Sequence, residues 1–305
     1  MFWIILTAST SGVMAALSQP GFDLDFLAWI SLVPLLLALE SVEQSSLRRS
    51  FSLGLVAGLF YWGSLLYWIF ALYEWAGLLI LPAYLLLIAY LSLYWGIFGA
   101  LYTLLRRRLG TIVMLFVTPA LWIVLEFIKA QGPLGFTWGD LAYGLYRRPE
   151  LIQVASISGV WGISFVIVLI NSLLAVGVHR ALEARRWCPA LPYSVTAVVV
   201  LALLWGMNTL LSGGAERTDS DIRVAVIQSE VSQRQKRDPA FVTDLLAEYQ
   251  RLLSGIDRQV NLVVLPESIM LAGLPLQQRG LLEPFTAFAR DRVLAFFTTR
   301  AELGV

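Results

Sequence analysis

NLVVLPESIM, residues 261–270, carries four consecutive apolar residues, Leu262 to Leu265, that stop abruptly at Pro266-Glu267. A buried strand ends naturally at a proline, which cannot donate to the ladder. Packing gives no reason for a carboxylate to follow. Upstream, IRVAVIQ at 222–228 is a second short apolar run rich in β-branched residues. Between the two, Asp238-Pro239 predicts a helix start, with Asp as cap and Pro at the first position. Val242, Leu245, Leu246, Tyr249, Leu252, Leu253 and Ile256 then fall on one helical face, with Gly255 near the end. Downstream, a helix is predicted over 277–290 and a third strand over 293–299. Helices alternating with strands that are apolar on both faces imply an α/β layered sheet. In such sheets functional groups gather at the carboxyl ends of strands, which is where Glu267 stands, after a proline that restricts its predecessor. A carboxylate partly withdrawn from water there has the character of a general base. A capping or surface glutamate just past a strand fits the position equally well.

The preceding two thirds of the chain are of another kind. Of 305 residues, 58% are hydrophobic, and the mean hydropathy is +0.73; soluble domains stay near about half apolar. Residues 1–47 contain no lysine or arginine, and 75–105 contain no charge at all, whereas charges recur every few residues from Glu216 onward. The shift divides the chain into a helical membrane domain (1–212), a linker (213–221) and an α/β segment (222–305). A spanning helix needs about 20 mainly apolar residues. About seven transmembrane helices are predicted, near 2–18, 24–40, 51–73, 77–104, 111–130, 158–178 and 192–212. The first is short but lacks the basic start of a signal peptide, so it reads as a retained helix.

The lone cysteine, Cys188, excludes an intramolecular disulfide framework and a Cys-rich metal site. The lone histidine, His179, sits beside Arg180 at a helix end and reads as a membrane-interface residue. No metal or cofactor is expected. Net charge is +1 with no basic stripe, which gives nucleic acid no footprint.

With the N-terminus in the cytoplasm, the inner loops hold eight basic residues, among them Arg106, Arg107 and Arg108, against three (Lys129, Arg147, Arg148) outside. The positive-inside rule favours that orientation. An odd number of spans then delivers residue 213 onward to the periplasmic side, opposite Cys188. Tyr61, Trp62, Tyr67, Trp68, Tyr73 and Trp75 bracket the third span as an interfacial aromatic belt. The outer connection 131–157 is long and apolar, with Gly135-Phe136-Thr137-Trp138-Gly139 as a turn bearing two large aromatics. It either lies on the membrane surface and shapes a lipid entrance or is buried against neighbouring helices. Arg147 and Arg148 are placed at headgroup level, and Glu126 and Lys129, spaced i and i+3, are expected to pair at a helix end.

VVLPES, preceded by VAVIQSEVSQ and the helix over 238–256, resembles the opening of the nitrilase superfamily domain. Ser18-Gln19-Pro20-Gly21-Phe22, the stretch Leu27 to Leu35, GFTW at 135–138, and Gly159 to Phe165 leading to Asn171 resemble bacterial apolipoprotein N-acyltransferases, in order and over essentially the whole chain. The resemblance implies a multi-pass protein of the bacterial cytoplasmic membrane. In that family a cysteine takes an acyl chain from a phospholipid such as phosphatidylethanolamine, forming a thioester. The acyl group then passes to the α-amine of a diacylglyceryl-cysteine at a lipoprotein N-terminus. A glutamate is the base and a lysine steadies the oxyanion. Glu267 matches the glutamate, and Trp138, with Phe136, matches the aromatics of the family's Gly-Phe-Pro-Trp segment at the lipid entrance; Thr137 replaces its proline. Arg237 stands where the family often has tryptophan. The family's lysine and cysteine follow the glutamate, but Lys129, Lys236 and Cys188 all precede Glu267.

A sheet that stops after a third strand leaves an exposed edge, so the expectation is the N-terminal portion of such an acyltransferase. The alternative is a non-catalytic membrane protein that binds phospholipid or lipoprotein. A transporter needs ionisable or broken helices along a path, and these spans carry almost no ionisable groups.

Overall fold

The computed structural model describes residues 2–42, 46–212, 222–228, 239–257, 259–266 and 293–295. Glu267, Lys236, Arg237 and the helix predicted over 277–290 lie outside the described residues. The chain divides into two compact units, Met1–Glu216 and Arg217–Val305.

The first unit is helical: α1 (Phe2–Leu17), α2 (Val33–Glu40), α3 (Leu47–Leu65), α4 (Ile80–Arg106), α5 (Thr111–Lys129), α6 (Ala155–Ala184) and α7 (Leu191–Ser212). Helix ends fall where the sequence stops favouring them. Gly110 is extended ahead of α5, and α6 ends at Arg185 in the left-handed region. Helices α3 and α4 approach closely because Gly54 faces the Trp95 carbonyl, where a Cβ would collide with backbone. Between α3, α4 and α5, the rings of Tyr61, Trp62, Trp95, Phe98 and Trp122 form a continuous series of ring contacts, edge-to-face except for the tilted Tyr61–Trp95 pair.

Four helical segments of the described residues are long and apolar enough to cross a membrane: Gly77–Arg106, Thr111–Lys129, Ala155–Ala184 and Cys188–Leu211. Helix α1 has 16 residues, and α3 opens on the charged pair Arg48-Arg49. The predicted span 24–40 is broken into a 3-10 turn, Asp25–Trp29, and the eight-residue α2, about 12 Å long. The break is held by Asn171 of α6, whose Oδ1 accepts from Leu32 N at 2.8 Å and whose Nδ2 donates to Ala28 O at 2.9 Å. Backbone groups freed by the interruption are thus satisfied inside the bundle. The break joins Leu27–Leu35 to the Gly159–Asn171 stretch, two of the motifs singled out in the sequence.

In the second unit, β1 (Val224–Val226), β2 (Leu262–Val264) and β3 (Val293–Ala295) form a parallel sheet in the order β1-β2-β3. Helix α8 (Val242–Ser254), between β1 and β2, buries Leu245, Leu246, Tyr249 and Leu253 against Ile227, Val263 and Leu265. Helix α8 covers Val263 and Leu265 on one face of β2, and Leu262 and Val264 on the other are half-buried, in keeping with its continuous apolar run.

Candidate functional site

Helix α5 carries two ionisable residues in its last turn, Glu126 and Lys129, and both are buried, at 5% and 3% exposure. Left alone, either charge would be costly. They do not pair with each other as the spacing suggested, because the connection that follows α5 folds back over them and supplies better partners. Lys129 Nζ donates to Asp140 Oδ1 and to the Trp138 carbonyl, both at 2.9 Å. The ammonium also lies 5.0 Å from the Trp62 ring centroid and 5.9 Å from that of Phe136. Glu126 Oε1 accepts from Trp122 Nε1 at 2.8 Å and from Leu141 N at 3.0 Å. Burial pushes the Asp140 carboxyl above its usual value, with Lys129 opposing that rise.

The turn itself is equally constrained. Phe136 N donates to Lys129 O at 2.8 Å, and Tyr61 OH donates to Gly139 O at 2.7 Å. Gly139 has φ +71°, and a Cβ there would lie 2.6 Å from the Trp62 ring. Only glycine takes that conformation against that ring without strain.

This latch presents an aromatic shelf. Phe136 is half-buried, edge-on to Trp62 at 5.7 Å and to Trp138 at 5.8 Å. Trp138 is 52% exposed and leans on Trp68 at 5.1 Å. Tyr67, Trp68 and Phe70 beside it are exposed as well. Phe136 therefore supports the shelf, and Trp138 forms its outer surface. The far end of the connection is fastened to the Ser18–Phe22 region. Tyr146 OH donates to Asp23 Oδ1 at 2.9 Å, Arg147 pairs with Asp23 at 3.2 Å, and Arg148 pairs with Asp25. The two arginines are held by these aspartates.

Of the residues predicted to act, Phe136 and Trp138 come together in this shelf; Glu267 lies outside the described residues. Leu265 is buried and Pro266 half-buried at the carboxyl end of β2. Sequence reasoning missed Asp140 as the partner of Lys129. The available signal was a carboxylate directly after Gly139, 11 residues past a lysine that closes an apolar helix.

Comparison with known proteins places these features. The family model described as the apolipoprotein N-acyltransferase N-terminal domain matches residues 11–173, a stretch holding the Ser18–Phe22 turn, the latch, the shelf and Asn171. An apolipoprotein N-acyltransferase of Geobacter metallireducens is 37% identical over 261 residues, covering 81% of this chain and 47% of that protein. Those of Photobacterium profundum and Pseudomonas putida are 29% identical over 272 residues and 32% over 304. They cover 88% and 96% of this chain, and 50% and 57% of their own lengths. The chain spans about half the length of the curated relatives it matches.

Proposed function

This chain belongs to the apolipoprotein N-acyltransferase family, and from that premise we propose that it serves acyl transfer from a phospholipid to lipoprotein N-termini. Its shelf forms the donor-lipid entrance, and Glu267 is the general base. The observation that carries the reading is Trp138, half exposed on a turn locked by Lys129, Asp140 and Gly139. A rigid amphipathic ring beside further exposed aromatics suits the boundary between headgroup and acyl chain. The donor is a phosphatidylethanolamine-like phospholipid and the acceptor a diacylglyceryl lipoprotein.

The helical unit crosses the bacterial cytoplasmic membrane seven times, through α1, the interrupted 24–40 segment, α3, α4, α5, α6 and α7. Its N-terminus is cytoplasmic, and the nitrilase-like residues 222–305 lie in the periplasm. The excess of basic residues in the inner loops supports this orientation, and the parallel β-α-β order supports the nitrilase-like assignment. Glu267 follows the central strand, where an α/β sheet presents its chemistry. As base it takes the proton from a cysteine thiol as the thiolate attacks the donor ester, and lysophospholipid leaves. The family's lysine and cysteine have no counterpart among these 305 residues, so this stretch supplies the entrance and the base, and not the thioester.

The test joins residues 1–305 to the lysine- and cysteine-bearing half of a family member and supplies phospholipid with a labelled acyl chain. Hydroxylamine-sensitive label on the protein reports the thioester. Glu267→Gln should lower its rate of formation by roughly 10²–10⁴ with membrane insertion unchanged. Undiminished acyl-enzyme in that variant would overturn the assignment.

A further inference from the structure

At the end of the helical unit where α4 gives way to α5 lies a cavity of about 530 Å³, bounded also by the ends of α2 and α6. That is the size of an ordinary ligand pocket. It is distinct from the aromatic shelf and shares no residue with it. Its walls are of two kinds. One is apolar, with Leu36, Met114 and Val176; the other carries Arg106, Arg180 and Thr111.

The hydrogen bonds left open on the polar wall decide what fits. Both oxygens of Glu40 are occupied, Oε1 by Tyr102 OH at 2.6 Å and Oε2 by the Arg106 guanidinium. Glu183 is turned to His179 at 3.3 Å and is 62% exposed. The carboxylates at the cavity are thus engaged. The donors are engaged only in part. Arg106 spends Nη1 on Glu40 and Nη2 on the Val42 carbonyl at 3.4 Å, and only its Nε is buried with no hydrogen-bond partner among the described residues. Arg180 makes one long hydrogen bond, Nη2 to Thr111 Oγ1 at 3.4 Å, leaving most of its fork free. A buried donor without an acceptor is costly, and the open fork of Arg180 suits a phosphate, which a guanidinium binds in bidentate fashion, with Arg106 adding its positive charge and one open N–H at the same wall.

We propose that this cavity holds a phospholipid. Its phosphodiester sits at Arg106 and Arg180, and an acyl chain lies along Leu36, Met114 and Val176. The apolar wall is what selects a lipid over free phosphate. On the charge distribution of the loops this end faces the cytoplasm, and basic pockets between spanning helices on that side commonly take lipid headgroups. The bound lipid would be structural. The inference rests on the membrane reading of the helical unit and not on the acyl-transfer reading.

The test uses the full chain, purified in detergent and supplied with phosphatidylglycerol or phosphatidylethanolamine, with retained lipid counted by native mass spectrometry. Arg180→Gln alters an exposed side chain with a single weak bond, so the fold is kept. Arg106→Gln is the second variant, its fold checked by size exclusion. Retention of the tightest lipid should weaken roughly tenfold in each, as expected for one lost charge-assisted hydrogen bond, and 10-fold excess inorganic phosphate should not displace it. Retention equal to wild type in Arg180→Gln would overturn the proposal. Displacement by inorganic phosphate would also overturn it, in favour of a simple anion site. A chain that stays soluble without detergent would instead refute the membrane reading on which it rests.

Discussion

Replacing Lys129 with methionine keeps an unbranched side chain, one atom shorter, and removes the cation that Asp140 faces. Both members of the pair are only 4% exposed, so water offers little compensation. Removing one partner of a buried pair costs about 3–5 kcal/mol. Asp140 can soften that by taking a proton, which places the expected cost near the lower figure, about 3 kcal/mol at pH 7.5. For a helical unit of this size that corresponds to a fall in melting midpoint of roughly 6–12 °C, read by tryptophan fluorescence on the detergent-solubilised chain. The pH dependence has a definite sign. Burial already raises the Asp140 carboxyl above its ordinary value of 3.8, and loss of Lys129 raises it further. From 3.8 upward the unfolded chain releases this proton first, so the variant loses stability as pH rises, until the folded carboxyl has also ionised. Below 3.8 both states are protonated and this penalty disappears. The gap to wild type should therefore be wide at pH 8 and narrow towards pH 4.5. Adding Asp140→Asn should restore most of the loss, since a neutral pair leaves no stranded charge. A Lys129→Met protein that melts with wild type at pH 8, or a double variant no better than the single, would refute the latch.

Gly139→Ala should lower the melting midpoint as well, by roughly 1–3 kcal/mol in stability, from the positive φ and the overlap with Trp62; the same thermal assay checks it. Asn171→Leu strands Leu32 N in the interior and leaves the Ala28 carbonyl only the long 3.4 Å bond from the Ser31 hydroxyl, and should cost about 1–3 kcal/mol. Limited proteolysis near residues 25–32 should become faster in that variant, whereas an unchanged cleavage rate would mean the helix break holds without Asn171.

Much of the helical architecture was legible because long apolar runs leave the backbone few alternatives. The runs predicted over 111–130 and 192–212 appear as Thr111–Lys129 and Leu191–Ser212, and the predicted strands appear as Val224–Val226, Leu262–Val264 and Val293–Ala295. The interruption within residues 24–40 was not legible because hydropathy weighs composition and does not register a long-range partner. Asn171 is 139 residues from Leu32, and it stabilises the interruption. The same limit applied at Glu126 and Lys129. Their i, i+3 spacing argues for a mutual pair, but Asp140 and the Leu141 amide reach them from a connection whose path depends on tertiary packing. The shelf was half legible: Phe136 and Trp138 were visible as aromatics on a turn. Their division into a supporting ring and an exposed one follows from Trp62 and Trp68, which belong to another helix and the turn after it.

The most direct test of the account asks whether the shelf and the glutamate share one side of the membrane. Cys188, the sole cysteine and an exposed one, serves as a natural probe for a membrane-impermeant maleimide applied to spheroplasts. Two further cysteines, introduced singly on a Cys188→Ser background at the exposed Thr137 and at Ser229, report on the shelf and the α/β segment. Thr137→Cys and Ser229→Cys should label at once in intact spheroplasts, while Cys188 should label only after the membrane is opened. Labelling of Cys188 together with Thr137→Cys from the same side, or protection of Ser229→Cys in intact spheroplasts, would contradict that placement.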